Sequence, residues 1–97
     1  MVSVSFHRLA RRELIEAAEF YDLANPGLGR AFLDEVERST QSILDYPDAS
    51  PILIGSVRRR LLARFPYAVL YSAKHDKVRI LAMMNLKRRP LYWAGRV

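Results

Sequence analysis

Tyr67-Ala-Val-Leu-Tyr-Ser-Ala-Lys74 and Lys77-Val-Arg-Ile-Leu-Ala-Met-Met84 are two β-rich runs on either side of His75-Asp76. Tyr67, Val69 and Tyr71 alternate onto one face of the first run. The same period of two places Val78, Ile80, Ala82 and Met84 together on one face of the second. Lys74-His75-Asp76-Lys77 is a polar tip and reads as a hairpin loop. Upstream, roughly 57–65 is strand-like as well, so three segments (57–65, 67–73 and 77–84) follow one another with short connections. Strands joined so tightly lie side by side and antiparallel, which makes this half a meander.

Before Pro51 the period is that of a helix. Ala10, Leu14, Ala17, Ala18 and Tyr21 form one apolar stripe, with Arg11, Arg12, Glu16, Glu19 and Asp22 facing water. Asn25-Pro26-Gly27 ends that helix, and a second stripe of Leu28, Phe32, Val36, Ser39 and Ile43 runs up to Tyr46-Pro47-Asp48. So short a turn makes the pair an antiparallel helical hairpin. Val2, Val4 and Phe6 alternate in a short strand ahead of it. The expected fold is α+β over one domain, residues 1–97. Two N-terminal antiparallel helices pack on a small antiparallel sheet of three or four strands, in the order β-α-α-β-β-β, followed by a short C-terminal tail. Pro90 stops a central strand from continuing into that tail.

The 97 residues contain no cysteine and only His7 and His75, far apart, so thiol chemistry and a Cys- or His-rich metal site are excluded; no metal or cofactor is expected. Without a long apolar run or a signal-peptide pattern, a cytoplasmic protein with no membrane partner is expected. Net charge is +6 and unevenly divided. Residues 1–50 carry five Lys/Arg against nine Asp/Glu, a balance of −4; residues 51–97 carry eleven against Asp76 alone, a balance of +10. A half this basic points to an acidic partner, whether nucleic acid, nucleoprotein or protein.

Several motifs then coincide in order and spacing. They are Ala10-x-x-Glu13-Leu14-x-Glu16-Ala17 with Phe20-Tyr21, and Gly27-Leu28-Gly29-x-x-Phe32-Leu33-x-Glu35-Val36 with Pro47 and Pro51. Val57-Arg58-Arg59, Arg64-Phe65-Pro66-Tyr67 and Arg88-x-Pro90-x-Tyr92-Trp93-x-x-Arg96 complete the set. Over nine-tenths of its length the chain resembles the RelE/ParE toxins of bacterial type II toxin–antitoxin modules. That resemblance implies a growth-inhibiting toxin in a hetero-oligomer with a cognate antitoxin. RelE-like members cleave messenger RNA on the ribosome; ParE-like members typically inhibit DNA gyrase.

A metal-free ribonuclease needs a proton acceptor, a proton donor and cations for the phosphorane. Arginine is abundant here, but many relatives have histidine where this chain has Asn85, which cannot titrate. The chain is therefore closer to the ParE-like branch, in which activity comes from binding. If it were a nuclease, Arg64, Arg88 and Tyr92 would be the catalytic candidates. The target-binding candidates are Arg58, Arg60, Arg64, Lys87, Arg88, Arg89, Tyr92, Trp93 and Arg96. Arg58 and Arg60 should share one strand face and Arg59 the other, at least one of the three serving a helix carboxylate. The antitoxin would dock on Leu9, Ile15, Phe20 and Leu23, which lie off the core stripe of the first helix. A third reading is a non-toxic nucleic-acid-binding module, supported by tyrosines interleaved with the cations.

Overall fold

The computed structural model describes residues 3–97; Val2, assigned above to the first strand, lies outside them. The order is β1 (Ser3–Phe6), α1 (Arg8–Ala24), α2 (Leu28–Asp45), β2 (Ile52–Ile54), β3 (Val57–Leu61), β4 (Tyr67–Lys74) and β5 (Lys77–Asn85), with a 3-10 turn at Ala94–Arg96. Both helices and the meander are present, so the α+β class stands. The sheet differs from expectation. It has five strands in the order β1-β5-β4-β3-β2, and β1 runs parallel to β5, so it is mixed rather than antiparallel. The meander rule governs only strands joined by tight turns, whereas β1 is placed by the packing of α1 that follows it. Among the described residues no helix is long and apolar enough to cross a membrane.

The helical hairpin covers one sheet face. Ala10, Ala17 and Ala18 of α1 and Phe32, Val36 and Ile43 of α2 are buried there against Val69, Tyr71, Val78, Ile80 and Met83. Tyr21, Phe32, Phe65 and Tyr67 close one end of this core, with ring centroids 4.9–6.2 Å apart. Small residues on α1 let α2 approach. A Cβ at Gly29 would lie 2.4 Å from the Ala18 carbonyl oxygen. Asp22 reaches across the turn, its Oδ1 accepting from the backbone N–H of Gly27 (3.0 Å) and Gly29 (3.2 Å), so α1 caps the start of α2. Gly27 holds a φ of 91°, which the turn requires and a side chain would resist.

The second strand of the hairpin does not keep a strict period of two. The pairing Leu70↔Ala82 is followed by Tyr71↔Ile80, leaving Leu81 as an extra residue in a β-bulge. Val78, Ile80 and Met83 therefore face the helices, while Leu81, Ala82 and Met84 join Val57, Ala68, Leu70 and Trp93 on the other face. The expected single face of Val78, Ile80, Ala82 and Met84 is corrected: the bulge inverts the alternation halfway along. At the tip, His75 (φ 51°) and Asp76 (φ 61°) make the two-residue turn that the polar tip indicated.

Gly29→Ala tests the helix contact. Helix propensity alone would favour alanine by about 1 kcal/mol, but overpacking against a carbonyl costs about 1–3 kcal/mol. Net destabilisation is expected in chemical denaturation. His7 offers a pH test, because its Nδ1 accepts from Leu9 N–H at 3.1 Å and caps α1. Partial desolvation and then the neighbouring Arg79 cation hold its pKa below the usual 6.5. Its contribution is thus complete above pH 6.5 and is lost as pH falls through the lower folded-state value. His7→Asn keeps a capping oxygen without titrating and should flatten the stability profile in that window.

Candidate functional site

β1 pairs with β5 only as far as Ile80, so among the described residues no strand lies beside the outer edge of β5 beyond that point. Two side chains complete it. Glu13 of α1 accepts the Met83 N–H through Oε1 at 3.1 Å. Arg96 donates to the Leu81 carbonyl at 3.1 Å. The two also bind each other, Nη1 to Oε1 at 2.8 Å and Nη2 to Oε2 at 3.0 Å, a two-pronged pair. Tyr92 adds a fourth donor, its hydroxyl reaching Glu13 Oε2 at 2.8 Å. Four donors thus meet one carboxylate, which uses both of its oxygens fully.

The pair is buried: the Arg96 and Glu13 side chains are 11% and 14% exposed. Burial, and then donation to Glu13, pushes the Tyr92 phenol pKa well up, so it keeps its proton at physiological pH. Hydrogen bonding to Glu13 raises Arg96 further. The tail between these anchors folds under the helix-free face of the sheet and buries Trp93 to 1% exposure. Arg88 stacks on Tyr92 with its guanidinium carbon 4.0 Å from the ring centroid.

Asn85, at the end of β5, has a definite local task. Its Oδ1 accepts from Lys87 N–H at 2.9 Å and its carbonyl from Arg88 N–H at 2.9 Å, forming the turn that displays Lys87, Arg88 and Arg89. All three are exposed. Leu86 N–H donates to the Pro66 carbonyl at 2.9 Å, which ties this turn to the β3–β4 connection carrying Arg64. Buried Glu35 of α2 holds that connection by accepting from the backbone N–H of Ala63 and of Arg64. Arg64, Lys87, Arg88 and Arg89 therefore emerge at one end of the sheet.

The other nominated residues are placed differently. Arg58 donates to the carbonyls of Asp48 (3.1 Å) and Ser50 (2.7 Å) and approaches the Asp48 carboxylate at 3.6 Å, so it staples the loop after α2. Its carboxylate partner is in a loop, not a helix. Arg58 and Arg60 do share the helix-side face, paired with Tyr71 and Val69, while Arg59 sits opposite Leu70 on the other. Arg60 is half-buried. Trp93 and Arg96 are interior anchors of the tail, so their side chains are not part of the exposed basic surface. Ile15, Phe20 and Leu23 are exposed on α1, and Leu9 is half-buried. Phe20 borders a shallow notch shared with Glu16, Tyr67, Asn85 and Arg88.

Glu13 and Glu35 were not nominated from sequence. A signal existed for both. Each lies on a core stripe, three residues after a buried one (Ala10, Phe32) and four before another (Ala17, Ser39). A carboxylate at such a position requires a buried partner.

Arg96→Ala should cost about 3–5 kcal/mol, because it leaves the buried Glu13 carboxylate without its counter-charge and the Leu81 carbonyl without its donor. Arg96→Lys should recover only part, since one ammonium cannot reproduce the two-pronged geometry. Chemical denaturation checks both, and a cost below about 1 kcal/mol, the range of exposed pairs, would contradict the clamp.

A sequence profile described as the ParE toxin of type II toxin–antitoxin system, parDE, matches residues 4–89. Among solved structures, one described as the chromosomal ParDE TA system from P. aeruginosa superimposes with a TM-score of 0.76. Sequence identity is 18%, over 88% of this chain and 96% of that one, a likeness of fold. No curated protein matches in sequence. With the profile running from within β1 through both helices and β2 to β5, the chain belongs to the ParE toxin family of type II toxin–antitoxin systems.

Proposed function

We propose that this toxin arrests growth by binding DNA gyrase through the basic end of its sheet, and that a cognate antitoxin neutralises it. The observation that carries this reading is the state of Tyr92. A nuclease would need a titratable group beside the arginines. The phenol here is held protonated against Glu13, Glu13 is consumed by four donors, and the position at the end of β5 is an asparagine engaged in a turn. Glu16 and Tyr67 also border the notch beside Arg88, but the feature this end of the sheet is built to present is charge at a fixed geometry: Arg64, Lys87, Arg88 and Arg89, mounted on backbone that Glu35, Asn85 and Tyr92 hold in place. A surface of this kind suits acidic protein or nucleoprotein and needs no tuned pKa.

The antitoxin would supply an acidic, apolar segment that orders on binding. Exposed Ile15, Phe20 and Leu23 of α1, with Leu9 beside them, offer it apolar anchorage. Membrane attachment has no part in this reading, and a cytoplasmic setting is where gyrase and antitoxin would both be met.

The test is inhibition of gyrase supercoiling by the purified toxin. Lys87→Ala/Arg88→Ala/Arg89→Ala should weaken inhibition about a hundredfold, on roughly 1 kcal/mol for each lost charged contact. Stability should fall by at most about 2 kcal/mol, about 0.5 each for exposed Lys87 and Arg89 and up to about 1 for the Arg88–Tyr92 stack, so the variant should stay folded. Cleavage of ribosome-bound messages by the wild-type protein, with gyrase unaffected, would replace this reading with the ribonuclease one. Tight, steeply salt-dependent binding to bare DNA or RNA alone would favour a nucleic-acid module.

A further inference from the structure

Three arginines at the start of α1 stand where folding alone would not put them. Residues 1–12 contain Arg8, Arg11 and Arg12 and no carboxylate; the first acid, Glu13, is turned inward to Arg96. Arg8, Arg11 and Arg12 fall at i, i+3 and i+4, so three like charges share one exposed helix face. They also occupy the positive end of the helix dipole, where acidic side chains are the favoured ones. α2 shows the opposite solution: Asp22 caps its start, and its exposed Arg30 is paired with Asp34 at 3.1 Å. Among the described residues Arg8, Arg11, Arg12 and Arg79 have no carboxylate partner.

Arg79 of β5 brings the fourth cation to this place. It lies opposite Ser5 in the β1–β5 register and donates to Ser5 Oγ at 3.3 Å. The guanidinium carbon of Arg11 lies 5.3 Å from the centroid of the Phe6 ring, so β1 holds two of the four side chains in position. Their field reaches His7, whose pKa is lowered first by partial desolvation and then by Arg79, Arg96 and Arg8. Six residues of β5 separate Arg79 from Asn85, roughly 20 Å of strand, so this patch is distinct from the basic turn.

We propose that the patch binds the phosphate backbone of duplex DNA. A guanidinium presents a planar fork of donors that matches phosphate oxygens. Phosphates would also neutralise the mutual repulsion of Arg8, Arg11 and Arg12, which nothing within the fold relieves. An acidic protein fits less well, because protein interfaces are built around an apolar, charge-poor centre, and the Phe6 ring at this patch lies beneath Arg11. The inference rests on the gyrase reading only for the choice of DNA over RNA. Gyrase acts on duplex DNA, and a toxin held on it by the basic turn would keep this second cationic surface free for the duplex.

The probe is a fluorescein-labelled DNA duplex of about 20 base pairs, titrated with the full chain over a range of salt concentrations and read by anisotropy. Each phosphate contact contributes about −0.9 to the slope of log affinity against log salt, so Arg8→Gln/Arg12→Gln should make that slope shallower by about 1.8. Affinity at about 0.1 M salt should fall at least about tenfold. The same change should appear when the pair of substitutions is added to Lys87→Ala/Arg88→Ala/Arg89→Ala, which removes the basic turn. Thermal unfolding gives a second readout: with like charges taken from the positive end of α1, the double variant should melt at or above the wild-type temperature. An unchanged slope, no binding of the duplex by the wild type at low salt, or equally tight binding of polyglutamate would overturn the proposal. So would a preference for an RNA duplex, or a double variant less stable than the wild type. These titrations contain no gyrase, so a toxin with a different target can still pass and a gyrase inhibitor can still fail.

Discussion

The carboxylate of Glu13 is where helix, sheet and tail meet. A sheet edge needs its N–H and C=O groups paired or solvated, and β1 is too short to serve β5 beyond Ile80. Glu13 and Arg96 do what a longer β1 would have done, one accepting from Met83 and the other donating to Leu81. The bulge at Leu81 belongs to the same solution, since it lies on the segment the pair serves. An isolated buried ion pair is weak evidence for stability, because desolvation offsets the attraction. Here the remaining valences are filled by backbone and by the Tyr92 hydroxyl, the condition under which burying such a pair is tolerated.

Once the tail is pinned, the properties of the basic end follow. Tyr92 is fixed and gives Arg88 a ring to stack on. Trp93 is driven under the sheet, where it bounds an apolar groove. Asn85 shapes the turn that presents the cations, and Glu35 does the corresponding work for the backbone of Arg64. The −4 and +10 halves of the chain are thus not independent layers. Two carboxylates of the acidic helices reach through to hold the backbone and tail of the basic half, while among the described residues Arg64, Lys87, Arg88 and Arg89 have no carboxylate partner.

Strongly periodic segments were legible in the sequence: both helices, their turn, and β4 and β5 with their polar tip. What escaped has identifiable physical causes. β2 is three residues long and too short to show alternation, although Ile52-Leu53-Ile54 before Gly55-Ser56 is a hairpin signal. The pairing of β1 with β5 depends on the path of α1, not on any local pattern. The bulge is invisible because Ile80-Leu-Ala-Met-Met84 is apolar throughout and marks no change of face. For the site, charge density located the basic end, and Arg64 and Lys87–Arg89 are exposed there. It could not separate exposed arginines from those committed to the fold, since Arg58 and Arg96 look like the others until their acceptors are known. Glu13 and Glu35 were readable only by asking why a carboxylate sits on a core stripe.

Hydrogen exchange of the wild-type backbone tests the central claim, that the Glu13–Arg96 clamp closes the β5 edge and pins the tail. The Met83 amide, with no strand beside it, should exchange as slowly as amides of the buried β4 centre such as Val69, and the Arg96 amide should be protected along with it. Exchange of Met83 and Arg96 at the rate of exposed, unstructured chain would show an open edge and a loose tail, and would contradict the account.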